Sequence, residues 1–207
     1  LLSGCGSEES PSLSTVSVPA AIAEATLPAE TPPPTEAPDP IRELISSMSL
    51  QERVGQLFLA RCEDSAALAD IDAYHLGGFV LFSPDFQGQT PDSLTKKLAA
   101  YQSAAKIPLL IAVDEEGGTV TRVSSNPAFR PRRFLSPRNA YVQGGMEAVL
   151  AQEAEKARML RSLGINVNLG PVCDITTDPD AFLYARSLGQ DPVITSAFVR
   201  ETVSVME

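Results

Sequence analysis

The sequence predicts a parallel α/β fold, because short apolar segments alternate along the chain with segments of helical periodicity. The strongest apolar segment is Leu109–Val113, and a second one is Phe79–Phe82; both are expected to be buried parallel strands. Between them, Pro91–Lys106 places Leu94 and Leu98 on one apolar stripe, as in a helix that covers a sheet. This alternation is typical of a barrel and also of a doubly wound sheet.

The remaining elements repeat the pattern. Helical periodicity begins at Ile41, and Ser49 followed by Glu52 is the signature of a capping box that starts a second helical segment. The other predicted elements are a short first strand that Gln56–Leu59 leads into, a helix over Ser65–His75, a helix over Met146–Leu163, a strand over Asn166–Leu169 and a helix over Val193–Glu207. An eight-stranded barrel takes about 250 residues. A chain with roughly four predicted strands is therefore expected to be a fragment of a larger fold.

The composition excludes several classes of protein. A net charge of −10 and a pI near 4.6 argue against a protein that binds nucleic acid through its phosphates. No apolar run reaches the roughly 18 residues that a membrane-spanning helix needs. The three cysteines, Cys5, Cys62 and Cys173, are too few for a disulfide framework, and no C-x-x-C pair indicates a zinc site.

The first 40 residues differ sharply from the rest of the chain. They hold eight of the 17 prolines, six acidic residues and no lysine or arginine. Such a segment cannot bury enough apolar surface to offset the entropy lost on ordering. We therefore expect residues 1–40 to form a disordered, acidic, Pro/Ser/Thr-rich linker, and residues 41–207 to form the folded domain.

At the start of that linker, Leu2-Ser3-Gly4-Cys5 resembles the lipobox of bacterial lipoproteins. The resemblance implies a diacylglyceryl group on Cys5, a membrane anchor and an extracytoplasmic location. Two or three acyl chains on one cysteine would anchor a protein stably, whereas a single chain binds a membrane only marginally. A chance match of four small residues is the alternative interpretation.

Acidic side chains follow two of the predicted strands. The triplet Asp114–Glu116 and two glycines come directly after the strand that Val113 ends, and Asp174 follows the strand over Asn166–Leu169. Ligands bind at the carboxyl ends of parallel strands in both candidate architectures. The alternative is a solvated loop for the triplet, and a turn or helix cap for Asp174.

Four segments in this order and spacing resemble glycoside hydrolase family 3, on its β-N-acetylhexosaminidase branch. They are Leu76–Phe82, Ile107–Arg122, Gly164–Asp174 and Arg186–Pro192. The resemblance covers about residues 42–207. It implies the N-terminal half of a TIM-type (β/α)8 barrel, and it implies neither a metal nor an organic cofactor.

The resemblance also implies roles for individual residues. Asp114 would bind hydroxyl groups of the terminal sugar, Arg122 and Arg186 would line the same site, and Asp174 would support Arg186. A carboxylate accepts two hydroxyl hydrogen bonds and a guanidinium donates from a rigid fork, so these residue types suit a sugar. Leu188 stands where an aromatic residue is usual, which affects the expected shape of the site.

No catalytic residue is expected within the chain. In the family, a Lys-His stretch with the general-acid histidine follows the next strand, and the nucleophilic aspartate lies further on. The only histidine, His75, matches neither position, so both groups are expected beyond Glu207. For the same reason Asp114 and Asp174 are not interpreted as a catalytic carboxyl pair. This chain alone is expected to be inactive.

The resemblance therefore implies a retaining β-N-acetylhexosaminidase that acts on cell-wall or related aminosugar glycans. Its expected partners are a carbohydrate substrate and, through Cys5, a membrane, but no nucleic acid. One alternative is a truncated, non-catalytic surface lipoprotein that binds sugars. Another is a β-glucosidase or β-xylosidase of the same family.

Overall fold

The structure, a computed structural model, describes residues 39–206. The lipobox cysteine, Cys5, and nearly all of the predicted linker lie outside the described residues, so those expectations stay predictions. Among residues 39–206, no helix combines the length and apolar character needed to cross a membrane.

The described chain alternates strands and helices as the sequence predicts. The strands are β1 (Leu59–Arg61), β2 (Gly78–Leu81), β3 (Leu110–Val113) and β4 (Val167–Asn168). The helices are α1 (Pro40–Ser47), α2 (Leu50–Gly55), α3 (Ala67–Tyr74), α4 (Pro91–Ala104), α5 (Pro137–Ser162) and α6 (Pro192–Met206), with a short 3₁₀ helix over Ser83–Phe86.

The four strands form one parallel sheet in the order β1-β2-β3-β4. Each strand pairs with the next one along the chain, which is the order that successive βα units give in a barrel. This arrangement confirms the predicted parallel α/β class. It also brings the carboxyl ends of all four strands to one edge of the sheet.

Helices cover one face of this sheet. Phe79 on β2 pairs in register with Ile111 on β3, and both are fully buried. Leu94, Leu98 and Tyr101 of α4 belong to the same buried cluster. The opposite face is open within the described residues, because Leu59 and Leu110, which flank Gly78 in register, remain 38% and 49% exposed.

The structure places the first predicted strand and the longest predicted helix. The first strand begins at Leu59, in agreement with the prediction that Gln56–Leu59 leads into it, and the capping box of Ser49 and Glu52 starts helix α2, which ends at Gly55. Helix α5 begins at Pro137, but Gly144 and Gly145 have non-helical backbone angles and divide it into two helical parts. The second part, after Gly145, is the predicted helix that begins at Met146. The first part, which begins at Pro137, is not among the predicted elements.

Candidate active site

The acidic triplet after β3 forms the centre of the candidate site, and each carboxylate has a different partner. Asp114 is bound by Arg122: Nε donates to Oδ1 over 2.7 Å and a terminal N–H donates to Oδ2. Such a two-point pair fixes the plane of both groups. The hydrogen bond to Asp114 also raises the pKa of Arg122, which keeps its charge permanent.

Glu115 folds the following loop. Its side chain is fully buried and accepts the backbone N–H groups of Arg122 and Val123, each over 2.7 Å, as well as the hydroxyl of Ser124. The loop therefore curls back toward the strand end, and this curl brings the Arg122 side chain beside Asp114. A buried carboxylate is stable here because hydrogen-bond donors surround it.

Strand β4 ties this loop to the sheet. The amide of Asn168 accepts the backbone N–H of Glu115 over 3.0 Å and donates to its carbonyl over 3.2 Å. Backbone pairing of β3 with β4 ends at Val113 and Asn168. Beyond that point the Asn168 side chain makes the two hydrogen bonds to the backbone of Glu115. The acidic triplet is consequently fixed relative to two strands.

Glu116 binds Arg186, which lies just before helix α6. The Nε group of Arg186 donates to Oε2 over 2.8 Å, and a terminal N–H donates to Oε1. This pair raises the pKa of Arg186. The structure therefore brings Asp114, Arg122 and Arg186 together at one edge of the sheet. Their common role in binding a sugar stays a prediction.

The two glycines after the triplet allow this geometry. Gly117 and Gly118 have φ values of +104° and +66°, which side-chain-bearing residues rarely adopt. A Cβ atom on Gly117 would lie 2.1 Å from the carbonyl oxygen of Leu135. The chain therefore turns sharply and passes close to a neighbouring segment directly behind the carboxylates.

An aromatic ring and a buried ion pair flank the carboxylates. The guanidinium carbon of Arg122 lies 5.7 Å from the ring centre of Phe82, which follows β2. On α5, the carboxylate of Glu153 accepts two hydrogen bonds from the ammonium of Lys156, each of 2.8 Å. The same ammonium donates to the backbone carbonyl of Glu116 over 3.1 Å.

Sequence reasoning did not select Glu116, Glu153 or Lys156 as site residues. Glu116 is the third member of the acidic triplet, and the two arginines that follow in the sequence indicate that carboxylates of the triplet form ion pairs. Glu153 and Lys156 carry no such signal, because Glu and Lys three residues apart on a helix are usually an exposed surface pair.

Asp174 was predicted to support Arg186, and the structure gives that arginine a different direct partner, Glu116. Asp174 is exposed and adds a weaker electrostatic contribution to the raised pKa of Arg186. Its supporting role therefore stays a prediction. His75 lies away from the carboxylates, at the end of α3, where its backbone N–H caps the carbonyl of Ile71.

A second polar cluster lies at the ends of β1 and β2. The Sγ atom of Cys62 and carboxylate oxygens of Asp64 and Asp85 lie within 4.8 Å of one another. The ammonium of Lys97 already binds both oxygens of Asp64 over 3.0 Å. Burial raises the pKa of the Cys62 thiol to about 11, so the thiolate that a metal prefers is disfavoured. Asp64 and Lys97 therefore form a partly exposed ion pair, and the cluster fits that pair better than a metal site.

Comparison with known proteins agrees with the predicted fold and family. Beta-hexosaminidase A from Pseudoalteromonas piscicida is 32% identical over 141 residues, which are 66% of this chain and 24% of that protein. Beta-hexosaminidase LpqI from Mycobacterium tuberculosis is 30% identical over 156 residues, covering 73% of this chain and 38% of that protein. The chain thus spans well under half of the length of these relatives.

A solved structure from the same family is also similar to this chain. The glycoside hydrolase family 3 beta-N-acetylglucosaminidase from Paenibacillus sp. str. FPU-7 superposes with a TM-score of 0.66 at 28% identity, over 77% of this chain and 31% of that one. This likeness confirms the predicted fold class, part of a TIM-type barrel. Residues 49–207 match the model of the glycosyl hydrolase family 3 N terminal domain. The chain therefore belongs to glycosyl hydrolase family 3, and its match is to the N-terminal domain of that family.

Proposed function

We propose that the intact protein is a retaining β-N-acetylhexosaminidase, which removes terminal β-linked N-acetylglucosamine from cell-wall or related glycans. The observation that carries this proposal is that two ion pairs, Asp114 with Arg122 and Glu116 with Arg186, lie at the carboxyl edge of the sheet. Family membership and the names of the relatives described above support the same reaction class.

The paired side chains still have hydrogen-bond positions with which a sugar can be bound. Each Asp114 oxygen accepts one N–H from Arg122, and a carboxylate oxygen has two acceptor positions. Both oxygens can therefore also accept sugar hydroxyl groups. Asp114 and Arg122 have side chains that are 20% and 26% exposed, so solvent and a ligand can reach them. Because the ion pairs fix these groups before binding, little side-chain entropy is lost when a sugar binds.

In this proposal the described residues bind and orient the sugar, and a further segment supplies the chemistry. A carboxylate attacks the anomeric carbon, a general acid protonates the departing oxygen, and water hydrolyses the glycosyl-enzyme. The face of the sheet around Leu110 is open, and one side of β4 pairs with no strand among residues 39–206. Both features are consistent with further strands that would complete a barrel. A lipid on Cys5 would place the enzyme at the outer surface of a membrane.

The test is the turnover of three chromogenic substrates by the full-length protein. We expect hydrolysis of an N-acetyl-β-D-glucosaminide, with kcat/KM at least tenfold above that of the matching β-glucoside and β-xyloside. A higher value for either of the other glycosides would favour a β-glucosidase or β-xylosidase. Measurable binding of N-acetylglucosamine without turnover of any substrate would favour the non-catalytic sugar-binding lipoprotein and contradict the proposal.

Two further samples test the expected inactivity of the 207-residue chain and the membrane anchor at Cys5. The 207-residue chain alone is expected to show no turnover, because the proposed nucleophile and general acid lie outside it. Replacement of Cys5 by Ser is expected to release the full-length protein from the membrane fraction while its kcat/KM stays unchanged. A variant that remained in the membrane fraction would contradict anchoring through Cys5.

A further inference from the structure

The buried ion pair on α5 lies behind the candidate sugar site. The side chains of Glu153 and Lys156 are each only 2% exposed. The ammonium has three donors, two of which bind the carboxylate of Glu153 at 2.8 Å. The third binds the carbonyl oxygen of Glu116 at 3.1 Å.

Stability alone is a weak reason for this pair. Moving two charges out of water is costly, and apolar residues of similar volume often stabilise a protein equally well or better. The pair does make one contact that apolar side chains cannot make, the hydrogen bond to the Glu116 carbonyl. Its distinctive contribution is therefore to the position of Glu116.

Glu116 needs such a fixed position. Its carboxylate holds Arg186, and the next residue, Gly117, has a φ of +104° and no side chain that could itself hold the turn. The backbone N–H groups of Glu116 and Gly117 each donate to the carbonyl of Val120 over 3.0 Å, which holds one side of this segment. The ammonium of Lys156 holds the carbonyl of Glu116, so the direction in which the Glu116 side chain reaches Arg186 depends on Lys156 together with this backbone bridge.

We propose that Lys156, held in place by Glu153, is a positioning residue that fixes Glu116 and, through it, the guanidinium of Arg186 in the sugar site. This inference rests on the proposed function for its kinetic consequence, since Arg186 is assigned there to sugar binding. Its structural part, the immobilisation of Arg186, holds independently of the substrate.

The test uses the double variant E153L/K156M in the full-length protein. Removing both charges together leaves neither one stranded in the interior, so the fold is expected to survive. The control variant D92L/K96M likewise replaces a carboxylate and an ammonium by apolar side chains, at an exposed pair on α4 whose side chains are 78% and 76% exposed. If E153L/K156M does not fold, E153Q/K156Q keeps polar groups at both positions and shortens the side chain at residue 156.

The primary measurement is hydrogen exchange of the arginine Nε–H groups by NMR, with the R186K and R122K variants providing the assignments. In E153L/K156M we expect the Nε–H of Arg186 to exchange at least tenfold faster than in the unmodified protein. The Nε–H of Arg122, which is held by Asp114, should change by less than twofold. A purely structural role would change both groups equally or neither, and either result would overturn the proposal.

The kinetic measurement follows if the N-acetylglucosaminide is hydrolysed. We expect KM to rise at least fivefold in E153L/K156M with kcat within about twofold, and no change in the control variant. KM within twofold of the unmodified value would overturn the role in sugar binding. If the unmodified protein hydrolyses no glycoside, the proposed function fails, and the exchange measurement still decides whether Lys156 positions Arg186.

Discussion

Arg186 and Glu116 are 70 residues apart in the chain, and their side chains form a two-point ion pair at the carboxyl edge of the sheet. The pair joins the loop after β3 to the segment that precedes α6. Only 21% of the Arg186 side chain and 6% of the Glu116 side chain are exposed, so solvent screens the pair only partly. The candidate sugar site therefore depends on a tertiary contact rather than on one local motif.

We expect E116Q to weaken the action of the full-length protein on an N-acetylglucosaminide. Glutamine keeps the shape of the side chain but presents an amide donor to a guanidinium that can only donate, so Arg186 loses its fixed orientation. A decrease in kcat/KM of about tenfold is expected, most of it in KM. E155Q is the control, because Glu155 pairs with Arg130 at the surface. A kcat/KM for E116Q within threefold of that of the unmodified protein would contradict the proposed role of Glu116 in orienting Arg186.

Asp114 should have a larger effect, because it is proposed to contact the sugar itself. We expect D114A to lower kcat/KM by about a hundredfold or more in the full-length protein, since hydroxyl contacts would be lost in the transition state. D114N keeps the side-chain volume and one acceptor oxygen, so it should lie between D114A and the unmodified protein. A loss below threefold for D114A would exclude a role in sugar binding.

Glu115 is expected to act on stability. Its carboxylate accepts two short backbone hydrogen bonds and a hydroxyl in a fully buried position. In E115Q an amide N–H would face these donors, so we expect the free energy of unfolding to fall by about 2–4 kcal/mol. Urea denaturation followed by circular dichroism would measure the change. A loss below about 0.5 kcal/mol would show that the loop does not depend on this carboxylate.

The sequence predicts the parallel sheet well because periodicity reports burial directly. The strand and the helix that covers it are apolar at the required spacing, and the structure places these side chains in one buried cluster: Leu109, Ile111, Val113, Leu94, Leu98 and Tyr101. Leu110, on the open face, is half exposed. The partners of polar groups are harder to predict. Nothing in the spacing distinguishes Glu116 from Asp174 as the partner of Arg186, because both follow a strand and both are acidic. Only the path of the chain in space decides that choice.

The capping box at α2 should make stability depend on pH. Hydrogen bonds from the backbone and hydroxyl of Ser49, with a further contribution from Lys106, lower the pKa of Glu52 to about 2. The folded state thus binds a proton less readily than the unfolded chain, in which a glutamate titrates near pH 4.3. The ionised carboxylate therefore stabilises the fold above that pH, and the contribution disappears as the pH falls toward 2.

E52Q removes this dependence, so we expect the Tm difference between the unmodified protein and E52Q to be positive at pH 6 and to shrink steadily between pH 4.5 and pH 2. E43Q, at an exposed residue in the first turn of α1, is the control. A difference that stayed constant over this range would mean that Glu52 is not ionised preferentially in the folded state.

The two described cysteines should differ in their reactivity toward iodoacetamide. Cys62 is 3% exposed, and burial raises the pKa of its thiol to about 11, so about one molecule in a thousand carries the reactive thiolate at pH 8. Cys173 is exposed in the segment after β4. In the folded protein at pH 8, mass spectrometry of the peptides should therefore find Cys173 alkylated at least a hundredfold faster than Cys62. In 8 M urea the two alkylation rates should differ by no more than a few-fold, because unfolding exposes both thiols. If Cys62 reacted as fast as Cys173 in the folded protein, its place in the core would be contradicted.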